Sequence, residues 1–484
     1  MWYKIITITI FSFVIDNLSA QNIQRAIRDL VQDGSMKHAG ISITVLDVQS
    51  GKVLAEHNKD LCLVPASSMK VVTTGAAISI LGNNYTFKTE IQYDGLISKS
   101  VLNGNLFIKG SGDPTLGSDR FRETPSLKVL MNRFQKAIQQ KGICRVNGLI
   151  IGDESYFGTE SRPPSWQIND IGNYYGVGAW GLNIFENFYY LHFRQNPTKD
   201  TKPRIINYSP KIPNLLLINE VRSSGDSVDN AYIFASSYSN LYFVRGSIPV
   251  GKGYFTIRGA VPDPPFLAAN ILMNTLESSG IKTKKQATTY FEFVREGNKR
   301  KERTTIYTHE SPPLASIVKR TNLESNNLYC EALLKTIGKR MNFKGDTYEG
   351  TAAVTKFWKN KGLDLEGFRM EDGSGLSPRN AASSYHLASI MRAAAQDTVI
   401  FDTFYQSLPE AGNTGTMASM LKNTRAWGRV RAKTGTMKGI KSYTGYVKTE
   451  SGKFLSFSII LNNFEQWARL KDMVGKVMIE MCKM

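Results

Sequence analysis

Apolar residues return at helical intervals near both ends of the chain and at alternate positions through most of its middle. Ile23, Ile27, Leu30 and Val31 are spaced three and four apart, which predicts an amphipathic helix. Ile41, Ile43 and Val45 alternate with polar residues, and Val53 and Ala55 resume the alternation after Gln49-Ser50-Gly51, which predicts a β-hairpin. A loop through Pro65 enters an apolar run predicted as a helix from Ser67 to Leu81, with Gly82 as its stop. From Tyr85 to about Glu302 strand-like alternation dominates (87–93, 101–108, 146–151 and 232–244), broken by predicted helices near 126–141 and 265–279. Helices return from Pro312, at about 313–322, 325–341, 346–360 and 381–396. Strands follow near 429–433, 442–448 and 453–461, then a last helix over 466–482. Similar ends around a different middle imply an α/β (α+β) domain, 21–87 plus 304–484, interrupted by a strand-rich insertion over 88–303, one domain or two nested.

With 484 residues, a 42% hydrophobic share and 11% aromatics, the chain can bury a large core and is globular. Its first residues differ from the rest. A short positive start, an apolar run from Ile5 to Val14 and small residues before Gln21 predict a secretory signal cut after about Ala20, although Asp16 and Leu18 depart from the usual cleavage pattern. That run is too short for a permanent membrane span, so the expectation is an exported, periplasmic protein with at most peripheral membrane contact. In an oxidising compartment Cys62, Cys144, Cys330 and Cys482 allow one or two disulfides, or four buried thiols. No Cys-x-x-Cys pair occurs and the five histidines stand singly, so neither a metal nor another cofactor is expected. The formal charge of +19 raises the question of nucleic acid. The basic residues are dispersed except at Arg295–Arg303 and no nucleic-acid motif accompanies them, so an anionic envelope polymer, or solubility alone, fits better.

Candidate chemistry lies in Ser67-Ser68-Met69-Lys70. By itself Ser-x-x-Lys is a weak signal, because a serine at a helix start is usually a cap, and Ser316–Lys319 and Ser419–Lys422 repeat the pattern. Only the copy at Ser67 heads a series. Ser325-Asn326-Asn327 opens a predicted helix downstream, and Lys433-Thr434-Gly435-Thr436 follows on a predicted strand. Ser-x-x-Lys, Ser-Asp-Asn and Lys-Thr-Gly together mark penicillin-binding proteins and class A β-lactamases. The residue types suit acyl transfer. A serine hydroxyl needs a base to take its proton, and on a helix Lys70 lies on the same side as Ser67. Lysine is a base only where burial and neighbouring positive charge, here Lys433, favour its neutral form. Ser325 can relay a proton to the leaving amine, and Asn327 can hold Lys70 and the substrate amide. The backbone amides of Ser67 and Thr436 can form an oxyanion hole. Gly435 lets the strand approach the substrate closely, and Lys433 with the hydroxyls of Thr434 and Thr436 suits a terminal carboxylate.

Beyond these motifs the chain resembles the D-alanyl-D-alanine carboxypeptidase/endopeptidase family, the low-molecular-mass class C penicillin-binding proteins. GSGDPTLGS (110–118), GDESYF (152–157), VPDPP (261–265), HESPPL (309–314), EDGSGLSPRN (371–380) and LPEAGNTGTM (408–417) all resemble family blocks, so the likeness covers nearly the whole chain after the signal. It implies the penicillin-binding protein/β-lactamase-like serine transpeptidase fold, with extra domains inserted between the first two motifs. It also implies cleavage of D-Ala-terminated peptidoglycan peptides or D,D-cross-links through an acyl-enzyme on Ser67, and covalent inhibition by β-lactams. The long gap from Ser67 to Ser325 argues against a β-lactamase; a β-lactamase or esterase of the same fold, and a peptidoglycan-binding scaffold with a silent site, are the rivals. Two departures stand out. Ser-Asn-Asn replaces the common Ser-Asp-Asn, and after GLS the family's substrate-gripping arginine position holds Pro378, with Arg379 next. Asp153 resembles a family position near the stem-peptide side chain, and a structural loop aspartate is the alternative. Gly176-Val-Gly-Ala-Trp-Gly181 matches a dinucleotide-binding pattern but follows no clear strand and is expected to be a packed loop. Gly373-Ser-Gly375 is expected to be a tight turn beside the site, with Asp372 and Ser374 within reach of substrate.

Overall fold

The structure, a computed structural model, describes residues 18–237 and 239–484. The segment read as an export signal lies outside the described residues up to Asn17, and the first helix covers 18–31. The chain forms two compact units. One comprises the segments up to Asn84, Leu314–Asn326 and from Gly350 onward; the other comprises Tyr85–Pro313 and Asn327–Glu349.

In the first unit five antiparallel strands lie in the order Val430–Met437, Ile440–Lys448, Phe454–Asn462, Gly40–Asp47, Val53–His57. The chain's two ends thus meet in one sheet, with Ile43 opposite Ile459 and Tyr443 opposite the same residue on the other side. Side chains on a strand alternate between faces. On one face Ile41, Ile43, Val45, Tyr443, Phe457, Ile459 and Leu461 join the 18–31 helix and the Trp467–Cys482 helix in an apolar core. Each such buried side chain contributes roughly 1.5–3 kcal/mol. On the other face Ser42, Thr44, Ser442, Thr444, Ser456 and Ser458 are fully buried. Each finds a partner: Ser42 and Thr44 meet Ser384 Oγ at 2.8 and 2.7 Å, Thr444 meets Ser458 at 2.8 Å, and Ser456 donates to the Ala388 carbonyl at 3.0 Å. These small hydroxyl residues let the Ser384–Gln396 helix lie close to the sheet while satisfying every buried oxygen.

The second unit holds a five-stranded mixed sheet in the order Ala287–Thr289, Ile150–Asp153, Leu106–Gly110, Lys88–Tyr93, Thr304–Glu310. Among the described residues it also holds three three-stranded sheets, 204–209/188–194/254–260, 216–219/241–245/232–234 and 96–98/101–103/145–146. The Leu127–Gln140 and Pro264–Ser278 helices share its main core with these strands. The second of them starts at an Asp263 cap that accepts from Phe266 N at 2.9 Å, followed by two prolines suited to the first turn.

The expected domain limits need correction. The boundaries fall at Asn84/Tyr85 and Pro313/Leu314, not 87/88 and 303/304, because Thr304–Glu310 completes the second unit's sheet by pairing with Lys88–Tyr93. Residues 327–349, expected in the catalytic domain, belong to the second unit. Their helix, Asn327–Asn342, buries Tyr329 against Phe121 and Glu186, and its buried Lys335 donates to the carbonyls of Ser161 and Ala179 at 3.2 and 3.0 Å. A helical period shows that a helix has a buried face but not which neighbours bury it. The 401–407 and 290–295 helices were also outside the sequence expectation; both are too short for a clear period.

Candidate active site

Ser67 lies in a single 3₁₀ turn, Ala66–Met69, that runs directly into the Lys70–Leu81 helix; the expected single helix from Ser67 is therefore two segments. Ala66 enters the turn with φ +46°, a left-handed conformation costing on the order of 1 kcal/mol or more for a residue with a Cβ. The turn leaves Ser67 partly exposed between buried neighbours. Lys70 is fully buried, and its Nζ donates to Ser67 Oγ at 3.0 Å and to the Ser374 carbonyl at 2.6 Å. The helix continues with small and β-branched residues buried through Ile78, and stops at Gly82 with φ +87°.

The Ser374 carbonyl comes from the 372–380 loop. Asp372 holds that loop, accepting from Gly375 N at 2.8 Å, Ser377 N at 2.7 Å and Asn380 Nδ2 at 2.8 Å. The Gly373 carbonyl accepts from Thr73 Oγ1 at 2.8 Å. Gly375, at φ +77°, passes so near the nucleophile turn that a Cβ there would lie 1.9 Å from Ala66 O. The expected turn is present, and its contribution is a backbone carbonyl that fixes Lys70. Asp372 is fully buried. Arg379 is exposed.

A second lysine–serine pair lies in the same unit. Lys433 is fully buried on the hydroxyl-lined face of the sheet, opposite Thr444, and its Nζ donates to Ser325 Oγ at 2.9 Å and to the Thr434 carbonyl at 2.6 Å. Ser325 adopts φ +58°, which ends the Leu314–Glu324 helix. Gly435 faces Ser442 across the ladder and lies against the nucleophile turn. A Cβ at this position would sit 2.3 Å from Ser442 Oγ, 2.6 Å from Pro65 O and 3.0 Å from Ser67 N, so only glycine fits. Ser442 Oγ donates to Pro65 O at 2.5 Å and shares a 2.8 Å hydrogen bond with Ser68 Oγ, tying turn to strand.

The structure thus joins Ser67 to Lys70, joins Ser325 to Lys433, and sets Gly435 against Ser67. Thr434 Oγ1 donates to Thr416 Oγ1 at 2.8 Å, a partner that the sequence reading missed although it lies in the quoted LPEAGNTGTM block. Thr436 is exposed at the end of its strand. Asn327 begins the Asn327–Asn342 helix in the second unit, where its amide donates to the Tyr175 carbonyl at 2.8 Å. Asp153, the candidate amine-binding residue, ends the Ile150–Asp153 strand of the second unit. It is 1% exposed, paired with the Arg303 guanidinium, and accepts from Ser155 N at 2.9 Å. Arg303 in turn lies 3.7 Å from the Phe107 ring centroid.

The glycines of the 176–181 pattern are packing residues: a Cβ at Gly176 or Gly181 would lie 2.1 Å from the carbonyl oxygen of Asp170 or Glu154. All four cysteines are free thiols, and Cys330 and Cys482 are buried. Among the described residues no group of three or more His, Cys, Asp or Glu could hold a metal ion, and no helix is long and apolar enough to cross a membrane.

Known proteins resemble this chain in sequence and in fold. The model of the D-Ala-D-Ala carboxypeptidase 3 (S13) family matches residues 23–480. A D-alanyl-D-alanine carboxypeptidase of Actinomadura sp. (strain R39) is 26% identical over 90% of this chain and 79% of its own length. The D-alanyl-D-alanine carboxypeptidase DacB of Haemophilus influenzae is 24% identical over 88% of this chain and 86% of its own. The crystal structure of penicillin binding protein 4 (dacB) from Haemophilus influenzae superposes with a TM-score of 0.79 at 22% identity, covering 94% of this chain and 98% of that one. Because the family match runs from the first helix to the last and takes in both lysine–serine pairs, this chain belongs to the D-Ala-D-Ala carboxypeptidase 3 (S13) family, as a serine-type D-Ala-D-Ala carboxypeptidase.

Proposed function

We propose that Ser67 is the nucleophile of this enzyme and Lys70 its base. The observation that carries the reading is the 3.0 Å contact between Lys70 Nζ and Ser67 Oγ on a turn that exposes the serine and buries the lysine. The enzyme acts on peptidoglycan peptides and is open to β-lactams. In the reaction Ser67 Oγ attacks the carbonyl carbon of the penultimate D-alanine as its proton passes to Lys70 Nζ. The tetrahedral oxyanion is held by the backbone amides of Ser67 and Thr436. Ser325, held by Lys433, relays the proton to the departing nitrogen. The C–N bond breaks, D-alanine leaves, and water attacking the acyl-enzyme restores Ser67. Lys433, Thr434 and Thr436 receive the terminal carboxylate, and Gly435 lets the substrate lie along the strand. A β-lactam enters the same path because its strained amide presents a carbonyl to the same oxygen. An export signal ending near Ala20 fits an enzyme whose substrate lies in the cell wall.

Incubation with a stem pentapeptide ending in D-Ala-D-Ala, followed by assay of free D-alanine, tests this. Release by the wild type that is abolished in Ser67→Ala is expected. Undiminished release in Ser67→Ala would contradict the assignment.

A further inference from the structure

Lys441, near the catalytic strand, is not used by the reaction above. It stands directly across the ladder from Thr436, two residues past a tight turn at Gly439. Its Nζ donates to Thr436 Oγ1 at 2.7 Å. Its ammonium lies 5.5 Å from the Tyr443 ring centroid and 5.1 Å from that of Trp467. Such contact is favourable but leaves the charge unneutralised. Its environment works against the charge in two ways. Burial lowers its pKa, and Lys471, on the Trp467–Cys482 helix, lowers it further by repulsion. Among the described residues no carboxylate pairs with Lys441 within ion-pair distance. A half-buried cation kept beside another cation, with no anion of its own, is costly unless an anion arrives.

The hydrogen-bond bookkeeping at Thr436 points the same way. A hydroxyl has one proton and two lone pairs. Since Lys441 donates to Thr436 Oγ1, one lone pair is occupied and the Thr436 proton must go to a different acceptor. Thr436 is exposed, so that acceptor is supplied from solution.

Resting on the assignment of Thr436 to the carboxylate end of the substrate, we propose that Lys441 is a specificity-determining residue: it aims the Thr436 hydroxyl proton at the carboxylate of the leaving group and adds a second positive charge to the one carried by Lys433. It takes no part in bond breaking. Its contribution is to select acyl donors whose leaving group is anionic.

Two esters of the same N-acyl-D-alanine isolate this effect, one with D-lactate as leaving group, which carries a carboxylate, and one a methyl ester, which does not. The readout is the ratio of kcat/KM for the D-lactate ester to that for the methyl ester. In Lys441→Met, which keeps an unbranched apolar side chain, the ratio is expected to fall about tenfold, mostly through KM of the D-lactate ester, the size of one lost charge-assisted contact. Lys441→Arg, which restores the donor and the charge, is expected to recover most of the ratio. An unchanged ratio in Lys441→Met, or equal losses on both esters that Lys441→Arg does not recover, would overturn the inference and leave Lys441 a packing residue. Wild-type turnover of both esters that persists in Ser67→Ala would instead overturn the proposed function, and this inference with it.

Discussion

The two faces of the sheet in the first unit are built one residue apart along the same strands, and they serve different ends. One face carries Ile43, Val45, Tyr443, Phe457, Ile459 and Leu461. The other carries Ser42, Thr44, Ser442, Thr444, Ser456, Ser458 and Lys433, just as deeply buried. Apolar burial needs no particular partner and stabilises in proportion to area. Buried hydroxyls and ammonium groups are tolerated only where each finds a partner of suitable geometry. The polar face therefore fixes positions: Lys433 against Ser325, and Ser442 against the turn that bears Ser67. A slip of register by one residue would exchange the faces and destroy both functions together.

Four substitutions sharpen this contrast. Lys70→Met, at the start of the helix that follows the nucleophile turn, is expected to slow acylation by fluorescent penicillin by about 10²–10⁴-fold, the usual contribution of a general base, while the folded baseline in circular dichroism stays unchanged. A rate within a few-fold of wild type would remove Lys70 from the chemistry. Phe457→Ala on the apolar face is expected to lower stability in urea unfolding by about 3–5 kcal/mol yet leave the labelling rate of the folded protein within a few-fold. Asp153→Asn, in the second unit, breaks the enclosed pair with Arg303 and is expected to cost about 3 kcal/mol of stability. Slower hydrolysis confined to peptides with a free side-chain amine, at unchanged stability, would instead make Asp153 a recognition residue. Ser442→Ala on the polar face is expected to cost only about 1 kcal/mol but to slow labelling by about tenfold, since Pro65 and Ser68 lose their tether to the strand. If Phe457→Ala and Ser442→Ala changed stability and rate in the same proportion, the division of labour between the faces would not hold.

Much of this was legible in the residues. Alternation through 41–45, 442–448 and 453–461 predicts the strands that form the sheet, and the order of the three motifs singled out Ser67 over Ser316 and Ser419. What escaped were contacts between residues far apart in the sequence. The Ser374 carbonyl that fixes Lys70 has no signature beyond a Gly-Ser-Gly turn, and the membership of 327–349 in the second unit rests on which neighbours Tyr329 and Lys335 meet. Asp153 was read from a likeness of sequence, and nothing local marked Arg303, 150 residues later, as the group that takes up its charge. Lys441 drew no notice because a lone lysine on a strand is ordinary until the ladder sets it across from Thr436.

The central claim is that one oxygen, Ser67 Oγ, carries the acyl group. Peptide mapping by mass spectrometry after brief exposure to benzylpenicillin tests it most directly. The account predicts a single penicilloyl adduct on the peptide containing Ser67, absent from Ser67→Ala. An adduct on Ser316 or Ser419, or one that persists in Ser67→Ala, would contradict it.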